Sequence, residues 1–103
     1  MLSISDFSFL NYDGSILVTR HAAHRLSERG IFMADIENCF KSGEIIEQYE
    51  NDKPLASCLI LGFTTQGRPL HVVASCDGEY IYLISAYYPN EEFWNSDYKT
   101  RRK

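Results

Sequence analysis

The residues best suited to chemistry lie in one segment, residues 20–29, which holds two histidines, three arginines and one glutamate. Drawn as a helix at about 100° per residue, the segment has a narrow apolar stripe, and its polar side chains fan across the opposite side. These side chains are Arg20, His21, His24, Arg25 and Glu28, with Arg29 at the edge. Arginine offers a bidentate fork to phosphate oxygens, and imidazole exchanges protons near neutral pH. The pattern favours a phosphate-handling surface, and a solvated helix face is the alternative.

Three further candidates lie in the apolar second half of the chain. His71 alternates with Val73 and Ser75, so it faces away from the neighbours that would pack under the helices. An antiparallel sheet can present a ligand surface on such an uncovered face. Arg68 precedes the same strand, and Tyr87 ends the last strand, where a site could open. A hydrogen-bonded structural histidine and a tyrosine in ordinary packing are the alternatives.

The three histidines are also the set that a zinc ion would use. Three imidazoles can hold zinc with an open fourth position, and His21 and His24 can share one helix face. However, the adjacent arginines would repel a dication, and the three cysteines form no C-x-x-C pair. We therefore expect neither a metal nor any other cofactor, and we interpret the cysteines as small reduced hydrophobic residues.

Helices and strands must position these side chains. Thr19 can cap a helix over residues 20–29 that Gly30 ends, and a second helix is predicted over residues 33–41. Beyond Gly43 the spacing of hydrophobic residues changes from that of helices to that of strands. Four strands are predicted at 44–49, 57–64, 70–75 and 80–88, preceded by a brief strand at 16–18 and followed by a short helix after Asn90. The tight turns between the four strands force antiparallel pairing.

The predicted fold class is α+β in a single domain over residues 1–103. Two N-terminal helices pack on a four-stranded antiparallel meander sheet, and a short C-terminal helix follows. With 45% hydrophobic and 14% aromatic residues, the composition excludes a disordered or low-complexity chain.

Several features bear on location. No apolar run approaches the ~20 residues that span a bilayer, so no membrane partner is expected. The N-terminus lacks the basic region of a signal peptide, and the number of cysteines is odd. These features favour a cytoplasmic location.

The charge distribution bears on partners. A net charge of −4 argues against a purely electrostatic nucleic-acid binder, and we expect no binding to DNA by this chain on its own. The charge is uneven, however, because the first predicted helix is basic whereas residues 33–52 carry six acids against one lysine. We expect a partner protein to lie on this acidic flank, residues 33–52.

Five sequence blocks resemble one known family. H-x-x-x-R-x-x-E-R-G-I begins at His21, and G-E-I-I-E-Q-Y at 43–49 and S-C-L-I-L-G at 57–62 follow. G-R-P-L-H-V-V at 67–73 and I-S-A-Y-Y-P at 84–89 complete the series. In this order the blocks resemble the small proteins of domain-of-unknown-function family 4258, over residues 16–94. The residues on the family's own motif are His21, Arg25, Arg29, Arg68 and His71, with Arg20 and His24 beside it.

The resemblance implies a fold and a role. The implied architecture is that of RelE-like or colicin-like ribonucleases, with two helices before a four-stranded antiparallel sheet. The implied role is the toxin of a toxin–antitoxin pair, whose partner would be a small zinc-finger-type antitoxin protein. The leading hypothesis is therefore a metal-independent endonuclease that cuts RNA.

In this hypothesis the 2′-hydroxyl of RNA attacks the adjacent phosphate, so no metal-bound water is required. His21 or His71 would be the general base, and Tyr87 would donate a proton or stack a base. Arg25, with Arg68 or Arg29, would stabilise the charge on the phosphate. The side chains expected to contact RNA are Arg20, His24, Arg29 and Arg68.

A second hypothesis involves no catalysis. The chain would be a protein-binding module in which His21, Arg25 and Glu28 form an internal network that fixes the helix against the sheet. Removing Arg25 would then destabilise the fold, because its buried partners would be left unpaired.

Overall fold

Three helices and five strands form along the chain, and a computed structural model describes them over residues 1–12 and 14–103. The helices are α1 (Ile4–Phe9), α2 (Arg20–Glu28) and α3 (Met33–Ser42). The strands are β1 (Ile16–Val18), β2 (Glu44–Tyr49), β3 (Ser57–Phe63), β4 (Pro69–Cys76) and β5 (Ile81–Tyr87). One sheet contains all five strands in the order β1-β5-β4-β3-β2.

The sheet differs from the predicted four-stranded antiparallel meander. The fold is α+β, but the sheet has five strands and is mixed, because β1 pairs in parallel with β5. Ile16 lies opposite Ile81, and the Ile81 amide donates to the Ser15 carbonyl at 2.8 Å. Turn signals report only neighbours in sequence, whereas these partners are separated by most of the chain. The brief strand was predicted, and its place in the sheet was not.

The predicted C-terminal helix is wrong. Residues 89–103, the C-terminal strap, fold back through tight turns, and Trp94 pairs with Arg101 in an isolated antiparallel bridge. The Asn90 side chain accepts the Glu92 amide at 2.8 Å, and Asp97 accepts the amides of Lys99 and Thr100. Such side-chain acceptors offer the backbone an alternative to helical hydrogen bonds. Trp94 is thereby carried to a position only 3% exposed.

Helix α2 forms as its sequence predicts. Thr19 accepts the Ala22 amide at 3.0 Å, which satisfies one of the free donors at the helix start. Gly30, with φ of 67°, adopts the left-handed conformation that follows the helix end. Ala22 and Leu26 are buried against the sheet, so the rest of the helix surface is open to solvent. Within the part of the chain that is described, no helix is long and apolar enough to cross a membrane.

The two faces of the sheet are covered differently. On the helix-covered face, the register aligns Ile60, Val72 and Ala86 across three strands, and these residues share a core with the helices. Phe7 of α1 stacks on Phe40 of α3 in that core, with ring centroids 5.5 Å apart. The opposite, helix-free face holds His71 in register with Leu61 and Tyr87. The strap lies on this second face.

Helix α3 packs tightly on β3. A Cβ atom on Gly62 would lie 2.5 Å from the Cys39 sulfur and 2.8 Å from the Cys39 Cα, so the strand requires glycine there. At the start of the helix, Asp35 accepts the Phe32 amide and, from the β3–β4 turn, the Thr65 amide, both at 2.9 Å. Asp35 therefore ties the α2–α3 loop to the turn that carries Arg68.

Candidate functional site

One flank of α2 carries three of the predicted site residues. His21, Arg25 and Arg29 are spaced four residues apart, so they follow one another along the same flank at about 6 Å intervals. His21 and Arg25 are exposed, while Arg29 is half-buried and donates to the Ala86 carbonyl of β5 at 2.7 Å. This cationic stripe therefore runs toward the end of β5.

The internal network of the binding-module hypothesis is not present in this form. His21, Arg25 and Glu28 are all exposed, and Glu28 contacts His24 at 3.5 Å instead. Both partners of that contact are more than half exposed, and such pairs add little stability. Arg20 is exposed at the helix start. The polar side of α2 is a solvent-accessible surface rather than a structural contact.

Arg68 and Tyr88 meet at the end of the sheet. The Arg68 guanidinium carbon lies 3.4 Å from the centroid of the Tyr88 ring, a distance typical of a cation–π contact. The Tyr88 hydroxyl reaches the Gly30 carbonyl at 3.4 Å, just beyond the end of α2. Arg29 donates to the carbonyl of Ala86, which precedes Tyr88 by two residues. The cationic stripe and Arg68 thus meet at this corner.

A cleft of about 440 Å³ opens beside Arg68, and we call it the end cleft. Its lining residues are Arg68, Pro69, Tyr88, Pro89, Asn90, Glu91 and Tyr98. Inside it, the Tyr98 hydroxyl donates to Glu91 Oε1 at 3.1 Å, and this bond raises the pKa of Tyr98. The cleft therefore combines a guanidinium, a carboxylate and a phenol. That set can bind an anion and can accept and return a proton.

His71 lies outside this cleft, beneath the strap. Strand alternation correctly placed it on the helix-free face, but the expected uncovered ligand surface is wrong, because Trp94 and Tyr98 cover His71 and bury it fully. Its Nε2 lies 2.8 Å from the Tyr98 carbonyl, which can only accept, so Nε2 carries the proton. Its Nδ1 then accepts from the Tyr87 hydroxyl at 3.4 Å. His21 belongs to the helix layer on the other face of the sheet, so the structure does not bring the two predicted bases together.

Ion pairs hold the strap on the same face. Arg101 donates to both oxygens of Glu47, at 2.8 and 3.0 Å, and its guanidinium lies 4.6 Å from the centre of the Trp94 ring. Lys99 contacts Glu44 at 2.9 Å. The hydrogen bond from Arg101 holds the pKa of Glu47 below its usual range, although burial acts to raise it. Two acids of the acidic flank are therefore paired within the chain itself.

The segment that contains α2 and the sheet up to β5 matches a known protein family. A family model described as Domain of unknown function (DUF4258) matches residues 18–88. The chain belongs to the DUF4258 family. No curated protein and no solved structure matches the chain. The RelE-like relationship thus remains a prediction, and the strap, residues 89–103, lies beyond the segment that the DUF4258 model matches.

Sequence reasoning missed part of the end cleft. Arg68 was predicted as a contact for RNA, but Tyr87 was singled out rather than Tyr88, whose ring Arg68 covers. Glu91 and Tyr98 were not singled out, because a helix was expected after Asn90. The signal available in the sequence was the pair of turn-forming residues, Asn90 and Asp97, which breaks a helix into turns.

The possible metal ligands of the described residues are dispersed. Over residues 1–12 and 14–103, no three His, Cys, Asp or Glu side chains are grouped closely enough to hold a metal ion. Burial raises the pKa of Cys39 and of Cys58 to about 12 in each case, so both thiols stay protonated. In the described residues, the end cleft and the cationic stripe remain the places where polar groups suited to chemistry converge.

The free energy of unfolding should depend on pH through His71 and Glu47. Burial lowers the pKa of His71, whose ordinary value is 6.5, although the bond to the Tyr98 carbonyl opposes this. The unfolded chain then binds more protons than the folded chain below that pH, so stability falls on acidification. Glu47, with its pKa lowered by Arg101, adds a further loss as pH drops below its ordinary value of 4.5.

Urea unfolding between about pH 5 and 8 measures this dependence. Stability is expected to be level above about pH 6.5 and to decline below it, since that is the ordinary pKa of His71. The variant His71→Gln should show a weaker decline between about pH 6.5 and 5, because glutamine does not titrate. A stability that rises as pH falls from 7.5 to about 5.5 would contradict the assignment.

Proposed function

We propose that this protein is a metal-independent RNA endonuclease that acts as the toxin of a toxin–antitoxin pair. One observation carries the proposal: a single open cleft combines the guanidinium of Arg68, the carboxylate of Glu91 and the phenol of Tyr98. RNA cleavage through its own 2′-hydroxyl needs these three functions, a base, an acid and a group that neutralises the phosphate.

The reaction follows from the groups in the end cleft. Glu91 takes the proton of the 2′-hydroxyl, and that oxygen forms a bond to phosphorus as the bond to the 5′-oxygen breaks. Tyr98 gives its proton to the departing 5′-oxygen, so the products carry a 2′,3′-cyclic phosphate and a 5′-hydroxyl. Glu91 then gives its proton to solvent and the Tyr98 phenolate takes one from solvent, which restores both groups and the hydrogen bond that joins them at 3.1 Å. Arg68 stabilises the charge on the phosphate oxygens during the transfer.

Glu91 is well placed to serve as the base. Oε1 accepts from Tyr98, which leaves Oε2 to accept the proton from substrate. The side chain is exposed, as a group that meets a polymer must be. His71 fits the role less well, because it is fully buried and both ring nitrogens are occupied by Tyr98 and Tyr87.

The rest of the strand would lie along α2. The cationic stripe of His21, Arg25 and Arg29 leads away from the corner where Arg68 lies, in steps of about 6 Å. Two guanidiniums and an imidazole at this spacing suit consecutive phosphates of an extended strand, and the Arg68–Tyr88 stack offers a flat surface to a base. We therefore infer a single-stranded RNA substrate. Binding through the stripe would weaken as salt increases.

A toxin of this kind requires an antitoxin. The family resemblance supports a small zinc-finger-type antitoxin protein as the partner. Because Glu44 and Glu47 of the acidic flank already pair with the strap, we place this partner on the stripe of α2 instead, where it would exclude RNA.

Incubating the purified, partner-free protein with single-stranded RNA in excess EDTA tests the proposal. Cleavage is expected to continue in the chelator, because no step uses a metal, and the upstream fragment should end in a 2′,3′-cyclic phosphate. An RNA with 2′-deoxyribose at the cleaved position should stay intact, since its nucleophile is missing. Intact RNA under all conditions, or cleavage that stops in EDTA, would contradict the proposal.

A further inference from the structure

The end cleft is built from two parts of the chain. Arg68 and Tyr88 lie within residues 18–88, which the family model matches, and they sit at the end of the sheet. Glu91 and Tyr98 belong to the strap, which follows β5 and lies beyond that match. The base and the acid of the proposed reaction therefore depend on where the strap rests.

Besides the exposed Lys99–Glu44 ion pair, three contacts hold the strap on the helix-free face. The Trp94 ring meets His71 edge-on, with centroids 4.6 Å apart. His71 Nε2 donates to the Tyr98 carbonyl at 2.8 Å. Arg101 binds both oxygens of Glu47. These contacts are central to the fold, since His71 and Trp94 are 0% and 3% exposed.

Tyr98 is held at both ends. Its backbone has φ of 58°, in the left-handed region that non-glycine residues rarely adopt. Such a conformation is unfavourable for a residue with a side chain and persists only where surrounding contacts enforce it. Here the carbonyl is bound by His71 and the hydroxyl by Glu91. A contact on the buried side of the strap thus orients a side chain that lines the cleft.

We propose that His71 and Glu47 are positioning residues for the end cleft: by fixing the strap, they hold Glu91 and Tyr98 opposite Arg68. Neither residue lines the cleft, so neither touches substrate. The inference rests on the proposed function for its effect on catalysis. Its structural part, the placement of the strap, can be measured without RNA.

Charge reversal in the full-length protein tests the inference. Glu47→Arg and Arg101→Glu each replace the ion pair with like charges, and the double variant restores the pair in the opposite sense. Trp94 is the single tryptophan, so its emission reports whether the strap is docked. Tyrosine labelled with ¹³C at the phenol carbon reports the Tyr98 hydrogen bond to Glu91. The rate of RNA cleavage is the third measurement.

Each single variant is expected to shift the Trp94 emission to the red, move the Tyr98 signal and slow cleavage by roughly 10²-fold, as misplaced catalytic groups do. The double variant should recover most of all three. Lys99→Ala is the matched control, because it removes an exposed ion pair of the same strap and should change little.

The outcomes separate the two proposals. Unchanged Trp94 and Tyr98 signals in both single variants would overturn the inference, as would a displaced strap with full cleavage. If both signals move and recover but the unmodified protein never cleaves RNA, the placement of the strap is supported and the proposed function fails.

Discussion

Replacing Arg68 with alanine is expected to lower the rate of RNA cleavage by about 10²–10³-fold, the usual effect of removing a group that stabilises charge in the transition state. The guanidinium is exposed and lies over the Tyr88 ring, so its removal opens no cavity in the core. The unfolding midpoint should therefore change little. Arg68→Lys should restore only part of the rate, because an ammonium cannot form the bidentate contact to phosphate.

The companion change, Glu91→Gln, preserves shape and removes the base. A loss of about 10²–10⁴-fold is expected for a general base. Lys41→Ala, which removes an exposed cation from α3, is the control and should cleave RNA at the normal rate. If Arg68→Ala and Glu91→Gln both match that control, the end cleft is not the active site.

The largest expected effect on stability comes from His71→Ala, at about 2–4 kcal/mol. Two losses combine, because truncation leaves a cavity between Trp94 and Tyr87 and removes the donor to the Tyr98 carbonyl. A histidine that acted only as a surface base would leave the unfolding free energy unchanged. Chemical denaturation of the two proteins at about pH 7.5, where His71 is neutral, measures the difference.

His24→Ala is the matched control for this change. Its side chain is largely exposed and pairs with the exposed Glu28, so its effect should stay within about 0.5 kcal/mol. His71→Gln should cost less than alanine, because the amide can still donate toward the Tyr98 carbonyl. A His71→Ala protein as stable as the His24→Ala protein would show that His71 has no positioning role.

Local sequence signals predicted the parts of this fold that depend on neighbouring residues. Thr19 and Gly30 mark the ends of α2, and the alternation around His71 placed it on the face away from the helices. Pairing between β1 and β5 was not predictable in this way, because no turn joins them. The same limit applies to the site. Arg68 was identified in its motif, whereas Glu91 reaches the end cleft only through the folding back of the strap.

The acidic flank illustrates the difference between charge in sequence and charge in space. Residues 33–52 were expected to attract a partner because they carry six acids. Glu44 and Glu47 instead pair with Lys99 and Arg101 of the strap. Part of the expected attraction is thus satisfied within the chain, since the basic C-terminus folds onto the flank. A partner would meet a less acidic surface than the sequence indicates.

The parallel pairing of β1 with β5 bears on how the molecule is made. Because β1 ends at Val18 and its partner begins only at Ile81, the sheet cannot be completed until β5 has been translated. Contacts between residues so far apart in sequence slow folding, since a long loop must close before any contact forms. The strap, which carries Glu91 and Tyr98, emerges later still. A nascent chain therefore acquires its complete cleft only after Tyr98 has been synthesised.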